Sequence, residues 1–328
     1  TRSGNFEDHS DPDPIKNQNV LSVVDDDLSF SEMILLETAK KKMFNVRSTR
    51  VRPGLDDKIL TSWNGLMLGA IARASVVLGD ESYLDAAEKN LSFLKDNLWD
   101  DKNKRLYHRW RDGARDDAQI FDTHAYLLSG IVELYGASLK SEYLSFAIEI
   151  ADRMIEAFYD PEAGGFYQST GTKDLIIRLK EDYDGAEPSG NSVAVLALLK
   201  LAAITGKESY RQTADKTLGY FSGRMKSMAV AVPYMVSAAD FASREPNRVV
   251  IAGSVDSSKA KELLRAAHSV YQPHKVILGT NGPIEEFAKS LADGDKGDVA
   301  AFLCKGKHCE LPTSDPNKLQ GLLVKSAE

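Results

Sequence analysis

Three stretches of this chain are apolar nearly all round: residues 63–78, 123–139 and 191–204. Each carries a single internal charge, Arg73, Glu133 and Lys200 respectively. A helix with no polar face belongs inside, covered by other helices. Behind each comes a conventionally amphipathic stretch, 83–98, 142–158 and 208–222, the first presenting Asp85, Glu88, Lys89 and Lys95 to water. Glu81-Ser82-Tyr83, Ser141-Glu142-Tyr143 and Glu208-Ser209-Tyr210 hold the same place in each pair, with the tyrosines 60 and 67 residues apart. Two of the outer helices lead into loops with an aromatic exit, Leu106-Tyr107-His108 and Phe166-Tyr167-Gln168. A long period with one buried and one exposed helix per unit predicts stacked helical hairpins. Closed into a ring, such hairpins make an α/α toroid lined by the apolar helices, so the predicted fold is mainly α.

The flanks read differently. Residues 1–30 are polar and turn-rich, an extended arm. Ser29-Phe30-Ser31-Glu32 has the form of a capping box, and the helix it starts carries Met33, Leu36, Met43 and Phe44 on one side. Pro53 and Gly54 end it. From Arg248 the pattern becomes strand 249–251, helix 256–270, strand 275–278, helix 284–291 and strand 299–303, which predicts a small α/β module. The expected division is therefore a toroid with its arm at 1–245 and the module at 246–328. The module has no Gly-x-Gly-x-x-Gly after its first strand and no Walker-type lysine, so it is not read as a nucleotide site.

Composition narrows the function classes. With 43% hydrophobic and 27% charged residues the chain is ordinary globular protein. A net charge of −7 argues against a nucleic-acid partner, whose phosphates call for clustered Lys and Arg. Lys40-Lys41-Lys42 is a solvated helix face. Lys200 interrupts the longest apolar run, so no membrane-spanning segment is expected, and the start Thr1-Arg2-Ser3-Gly4 has no signal-peptide pattern. Cys304 and Cys309 imply no disulfide framework. With His308 they offer too few ligands for zinc, and they read as two ordinary thiols, with a redox pair as the alternative. No metal or cofactor is called for.

The repeat exposes a constellation. Nineteen residues before each aligned tyrosine stand Asn64, His124 and Asn191; twenty-one before stand Ser62, Asp122 and Ser189; twenty-six before stand Asp57, Asp117 and Asp184. Equivalent helix ends in a ring of hairpins lie on one face, so these side chains are expected around one mouth of the central cavity. Trp63 and Glu187 join them. Amides and carboxylates suit the hydroxyls of a sugar, and tryptophan suits the apolar face of a pyranose. On this reading His124, Asp57, Asp184 and Glu187 carry the chemistry, with His124 moving a proton. Trp63, Asn64, Asp117, Asp122, Ser189 and Asn191 hold the substrate. Each residue also has a purely structural reading: His124 as a buried or helix-start histidine, the aspartates as turn or capping residues. The stretch Asp184–Ser192, a polar connection feeding a buried helix, shares that ambiguity, since Ser189 can simply start the helix.

Arg52-Pro53-Gly54-Leu55-Asp56-Asp57-Lys58-Ile59-Leu60-Thr61-Ser62-Trp63-Asn64-Gly65-Leu66-Met67 and residues 184–192 closely resemble the spermatogenesis-associated protein 20 family. Gly4-Asn5, Asn19-Val20-Leu21 and Cys304…Cys309-Glu310-Leu311-Pro312 fit the same family. The resemblance implies a six-hairpin α/α toroid like that of the N-acylglucosamine 2-epimerase and six-hairpin glycosidase group. It also implies a thioredoxin-like partner domain which, with the early toroid helices, is not in this chain, so that the ring is expected to be incomplete. Where the family carries Asp-Tyr-Ala before the middle inner helix, this chain has Thr123-His124-Ala125. An acid is lost at 123, with Asp122 adjacent. The functions implied are a sugar epimerase or isomerase or a hydrolase, or else a non-catalytic toroid that binds a ligand or partner for a thioredoxin-like domain.

Overall fold

The computed structural model describes residues 2–10, 12–23, 27–171, 175, 177–294 and 299–327. Residues 24–26 of the expected arm lie outside the described residues. The chain divides into two compact units, 1–56 and 57–328. In the first, Asn5 and Val20 exchange side-chain and backbone hydrogen bonds at 2.8 and 3.0 Å, which folds the arm back on itself. Helix α1 (Phe30–Ser48) starts at the predicted capping box: Ser29 Oγ accepts from Glu32 N, and Glu32 accepts from Ser29 N at 2.9 Å. None of its residues is buried, and Met33, Leu36, Met43 and Phe44 stand 42–54% exposed.

The second unit is built on the predicted hairpins. Strand β1 (Ile59–Leu60) leads into helix α2 (Thr61–Leu78), which is followed by α3 (Glu81–Leu98). Strands β2 (Trp99–Asp100), β3 (Arg105–Leu106), β4 (Arg109–Arg111) and β5 (Ala114–Arg115) make short antiparallel pairs, order β2-β3 and β1-β4-β5. The second hairpin is α4 (Phe121–Ser138) with α5 (Ser141–Phe158), and the third α6 (Gly190–Thr205) with α7 (Glu208–Ser227); α8 (Pro233–Ala242) follows. Helices α2, α4, α6 and α8 pack side by side as an inner layer, while α3, α5 and α7 each back the inner helix before them. This is the arrangement of an α/α toroid. Among the described residues it comprises three complete hairpins and one further inner helix.

The repeat persists at backbone level. The inner helices end at Gly79, Leu139 and Gly206, again 60 and 67 residues apart, all left-handed at φ 71°, 58° and 72°. Glycine takes that conformation freely, but a leucine there is strained by about 1 kcal/mol. Leu139 is 5% exposed, so its burial offsets the strain. The inner layer is tight because it uses glycine at its crossing: a Cβ on Gly65 would fall 2.6 Å from Leu127 N, and one on Gly130 2.2 Å from Gly65 O. The outer flank of α2 departs from the expectation that inner helices are covered. Trp63, Met67 and Val77 are 62%, 56% and 55% exposed, because α2 has an inner-layer neighbour on the α4 side alone among the described residues.

Strand β6 (Asn247–Ala252) opens a four-stranded sheet that includes β7 (Lys275–Leu278), β8 (Ala300–Lys305) and β9 (His308–Cys309), in the order β7-β6-β8-β9. Strand β7 runs parallel to β6, which needs the crossover helix α9 (Ser258–Ser269); β8 is antiparallel. Helix α10 (Glu286–Ser290) precedes β8, and α11 (Pro316–Ala327) packs on α9 and β8. This sheet and its helices close the C-terminal ends of the inner layer. His268 Nε2 donates to Gly136 O at 3.0 Å, Gly279 N donates to Tyr135 Oη at 3.2 Å, and Glu285 N donates to Ile204 O at 3.0 Å. Burial pushes His268 down to about 4, so it remains neutral and can serve as this donor near pH 7.

Candidate functional site

The N-terminal ends of α2, α4 and α6 lie side by side. Gly65, in the second turn of α2, meets Tyr126 and Leu127 of α4, and Gly190 at the start of α6 meets Phe121 and Asp122. The loops after the outer helices set this alignment. Thr61 N donates to His108 O at 2.9 Å, and sixty residues on Phe121 N donates to Gln168 O at 3.0 Å. The aromatic exits therefore return the chain to the start of the preceding inner helix.

The side chains nineteen residues before the tyrosines face away from the mouth. Asn64 Nδ2 donates to Leu60 O at 2.9 Å, and His124 Nδ1 to Ile120 O at 3.2 Å, each bonding four residues back. His124 is 0% exposed and stands edge-on to Phe158 of α5, ring centroids 5.0 Å apart. Burial pushes its pKa down to about 4. His124 is expected at the mouth; in the structure the fourth position of this inner helix turns toward the outer layer. Asn191, also 0% exposed, is saturated, donating to Phe166 O and Glu181 O at 3.0 Å and accepting from Phe166 N at 2.8 Å.

The aspartates twenty-six residues back separate. Asp57 pairs with Arg111 at 2.7 Å. Asp117 is 89% exposed, with Arg105 at 3.4 Å. Asp184 is structural: one oxygen accepts from Ser189 N at 2.9 Å and the other from Tyr234 N at 2.8 Å, which fixes the start of α8 to the loop before α6. Asp184→Ala is therefore expected to cost about 2 kcal/mol in urea unfolding, the scale of lost bonds to a charged acceptor; a loss under a few tenths would show that the loop holds itself. Ser189 is the N-cap of α6, its Oγ accepting from Ser192 N at 3.2 Å.

Asp122 remains, and it is unlike the others. It is half-buried in the first turn of α4. Gln168 Nε2 donates a short hydrogen bond to its Oδ2. Its Oδ1 points at the first turn of α6, so close that a Cβ on Gly190 would fall 2.0 Å away, and it has no well-formed hydrogen bond. Burial pushes its carboxyl up to about 6, with the Glu181 and Glu187 carboxylates adding to the rise and the Gln168 bond opposing it. Beside it Tyr126 donates to Pro188 O at 2.5 Å. Burial, with Asp122, Glu187, Glu181 and Asp184 around it, raises the phenol well above its ordinary range. The mouth of the inner layer is thus acidic, with Glu181 and Glu187 exposed at its rim.

Sequence reading missed Gln168, Tyr126 and Glu181. A signal for Gln168 existed: it ends an aromatic exit, and His108, which ends the other, also reaches the start of α4, at 2.9 Å from Thr123 Oγ1.

The sequence pattern of Glycosyl hydrolase family 47 matches residues 86–258, more than half of the chain. The chain belongs to that family, a class in keeping with its α/α hairpins. More particularly, its curated relatives are the spermatogenesis-associated protein 20 proteins, as the motifs at 52–67 and 184–192 imply. The Homo sapiens protein is 31% identical over 98% of this chain and 44% of its own length, and the Rattus norvegicus protein 33% identical over 88% and 39%. The chain thus spans less than half the length of these relatives. Among solved structures, the GH76 α-mannanase of Bacteroides thetaiotaomicron matches 66% of this chain and 59% of its own, at 17% identity and TM-score 0.47. Among the described residues, no helix is long and apolar enough to cross a membrane.

Proposed function

We propose that the acidic mouth at the starts of α4 and α6 binds a sugar, and that Asp122 moves a proton on it. The observation that carries this is the Asp122 carboxyl, half-buried, pushed to about 6, oriented by Gln168 and set beside two further carboxylates. A carboxyl poised near 6 can give or take a proton near neutral pH, as an epimerase or a glycoside hydrolase requires. Glu187 supplies the second carboxylate, Trp63 an adjoining rim on α2, and Asp57 and Asp117 the outer edge. Membership in a glycosyl hydrolase family supports the reading; the fold by itself does not. The division of the chain at 245/246 belongs to the proposal too: the module from 246 onward serves to brace the far end of the inner layer.

The test is a panel of neutral sugars read first by thermal shift and then, for any sugar that binds, by hydrogen exchange in deuterated water and by release of reducing ends. Asp122→Asn is expected to lower the rate by about 10²–10⁴, with the fold intact by circular dichroism. If Asp122 acts as the acid, the wild-type rate holds below pH 6 and falls above it as the carboxyl ionises. A rate unchanged in Asp122→Asn overturns the assignment.

A second reading is favoured by a specific observation. Asn191, Ser189 and Asp184 are spent on backbone groups and His124 is buried against the outer layer, as they would be in a toroid that binds without catalysing. Sugar binding with neither exchange nor hydrolysis would select it.

A further inference from the structure

The two cysteines are bonded to each other, contrary to the expectation of ordinary thiols. Cys304 on β8 and Cys309 on β9 are register partners in an antiparallel pair, with Cα atoms 3.9 Å apart. Glu310 N donates to Leu303 O at 2.9 Å, so the cysteines form the next pair along, the kind without mutual backbone hydrogen bonds, whose side chains lie closest.

We infer that this bond is a thiol–disulfide exchange site, a two-electron acceptor for a dithiol, and not a structural staple. Three observations support it. First, the cysteines are only five positions apart in sequence. Closing so short a loop removes little freedom from the unfolded chain, so the bond contributes less to stability than a long-range bridge would. Second, the hairpin is held without it. Arg248, paired with Glu285 at 2.6 Å, donates to Gly306 O at the turn, and beyond β9 Ala301 and Thr313 exchange backbone bonds at 2.8 and 3.0 Å. Third, the two sulfurs are unequal. Cys304 is 1% exposed, whereas Cys309 is half-buried and flanked by exposed Lys307, His308 and Glu310.

The reaction follows from that asymmetry. A thiolate of the dithiol attacks Cys309 Sγ, the S–S bond breaks, and Cys304 leaves as a thiolate that takes up a proton. The second thiol of the partner then attacks the sulfur joined to Cys309, releasing the Cys309 thiol and closing the partner's own disulfide. Two electrons pass to the hairpin, and the dithiol is oxidised. In reverse, Cys309 is the attacking thiol and Cys304 the resolving one.

Dithiothreitol and glutathione test this on the folded chain. The expected result is complete reduction by dithiothreitol in native buffer, counted by thiol alkylation and mass, with unchanged circular dichroism and a melting midpoint moved by no more than a few degrees. With oxidised glutathione, Cys304→Ser is expected to accumulate a mixed disulfide at Cys309, roughly tenfold faster than Cys309→Ser does at Cys304, since access controls the attack. The proposal is overturned by reduction that requires denaturant, by a large fall in melting midpoint on reduction, by equal trapping in the two variants, or by reduced cysteines that do not re-form the bond under oxidised glutathione.

Discussion

Gly130→Ala is expected to destabilise this protein by about 3 kcal/mol, while Gly136→Ala, six residues along the same helix, stabilises it by about 1 kcal/mol. Both replace a helical glycine by the best helix former, so propensity alone predicts a gain at each. The difference lies in what the added methyl meets. At 130 it falls 2.2 Å from the backbone oxygen of Gly65 and 3.2 Å from Leu68 Cβ; at 136 nothing lies within 4 Å. A side chain could rotate away, but a carbonyl in the second turn of α2 moves only if the helix moves. Separating α2 from α4 loosens the packing of Leu68 and Ala72 on α4 and displaces the start of α2 relative to Asp122. Urea unfolding followed by tryptophan fluorescence separates the two variants. Equal effects of the same sign would mean that the inner helices do not cross at these glycines.

Much of this layer was legible in the chain. Burial on all sides marks the inner helices, and a charged face marks the outer ones, because an unpaired charge cannot be carried inside. The tyrosine spacing gave the register, and the structure extends it to Gly79, Leu139 and Gly206. Short pairings such as β1 with β4 escaped, since two-residue strands leave no periodicity. Helix α8 escaped because its start rests on Asp184, fifty residues earlier. At the N-terminal ends of the inner helices, counting back from the tyrosines gave which residues share a helix end but not the direction of each side chain. One step along a helix turns a residue by about 100°. That is why His124 faces Phe158 and Asp122, two positions earlier, faces α6. What singles out Asp122 is Gln168 and Gly190, both remote in sequence, and no local pattern announces such a meeting.

Loss of the Glu133 charge should be as costly as the Gly130 methyl, and its cost should vary with pH. Glu133 of α4 accepts from Arg73 of α2 at 2.9 Å and from Lys200 of α6 at 2.6 Å, so one carboxylate ties three inner helices at a fixed height. Burial by itself would raise its pKa, but Lys200 and Arg73 outweigh it and hold the carboxyl down to about 2, from an ordinary 4.5. A depressed acid contributes its stability above its unfolded value and loses it as pH falls through the folded one. Wild-type stability should therefore drop by about 3 kcal/mol from this group between pH 5 and 2, and Glu133→Gln should lack that component. At pH 7 Glu133→Gln is expected to cost about 3 kcal/mol, mostly because Lys200, 17% exposed, is left without its anion. Arg73 is 57% exposed and can turn to water, so it contributes less. Replacing the buried pair together, Glu133→Leu with Lys200→Met, should restore most of the loss, since well-packed hydrocarbon does as well there as paired charge. If the double variant is as unstable as Glu133→Gln, the triad does more than balance its own charges, and the alignment of the helix starts around Asp122 depends on it directly.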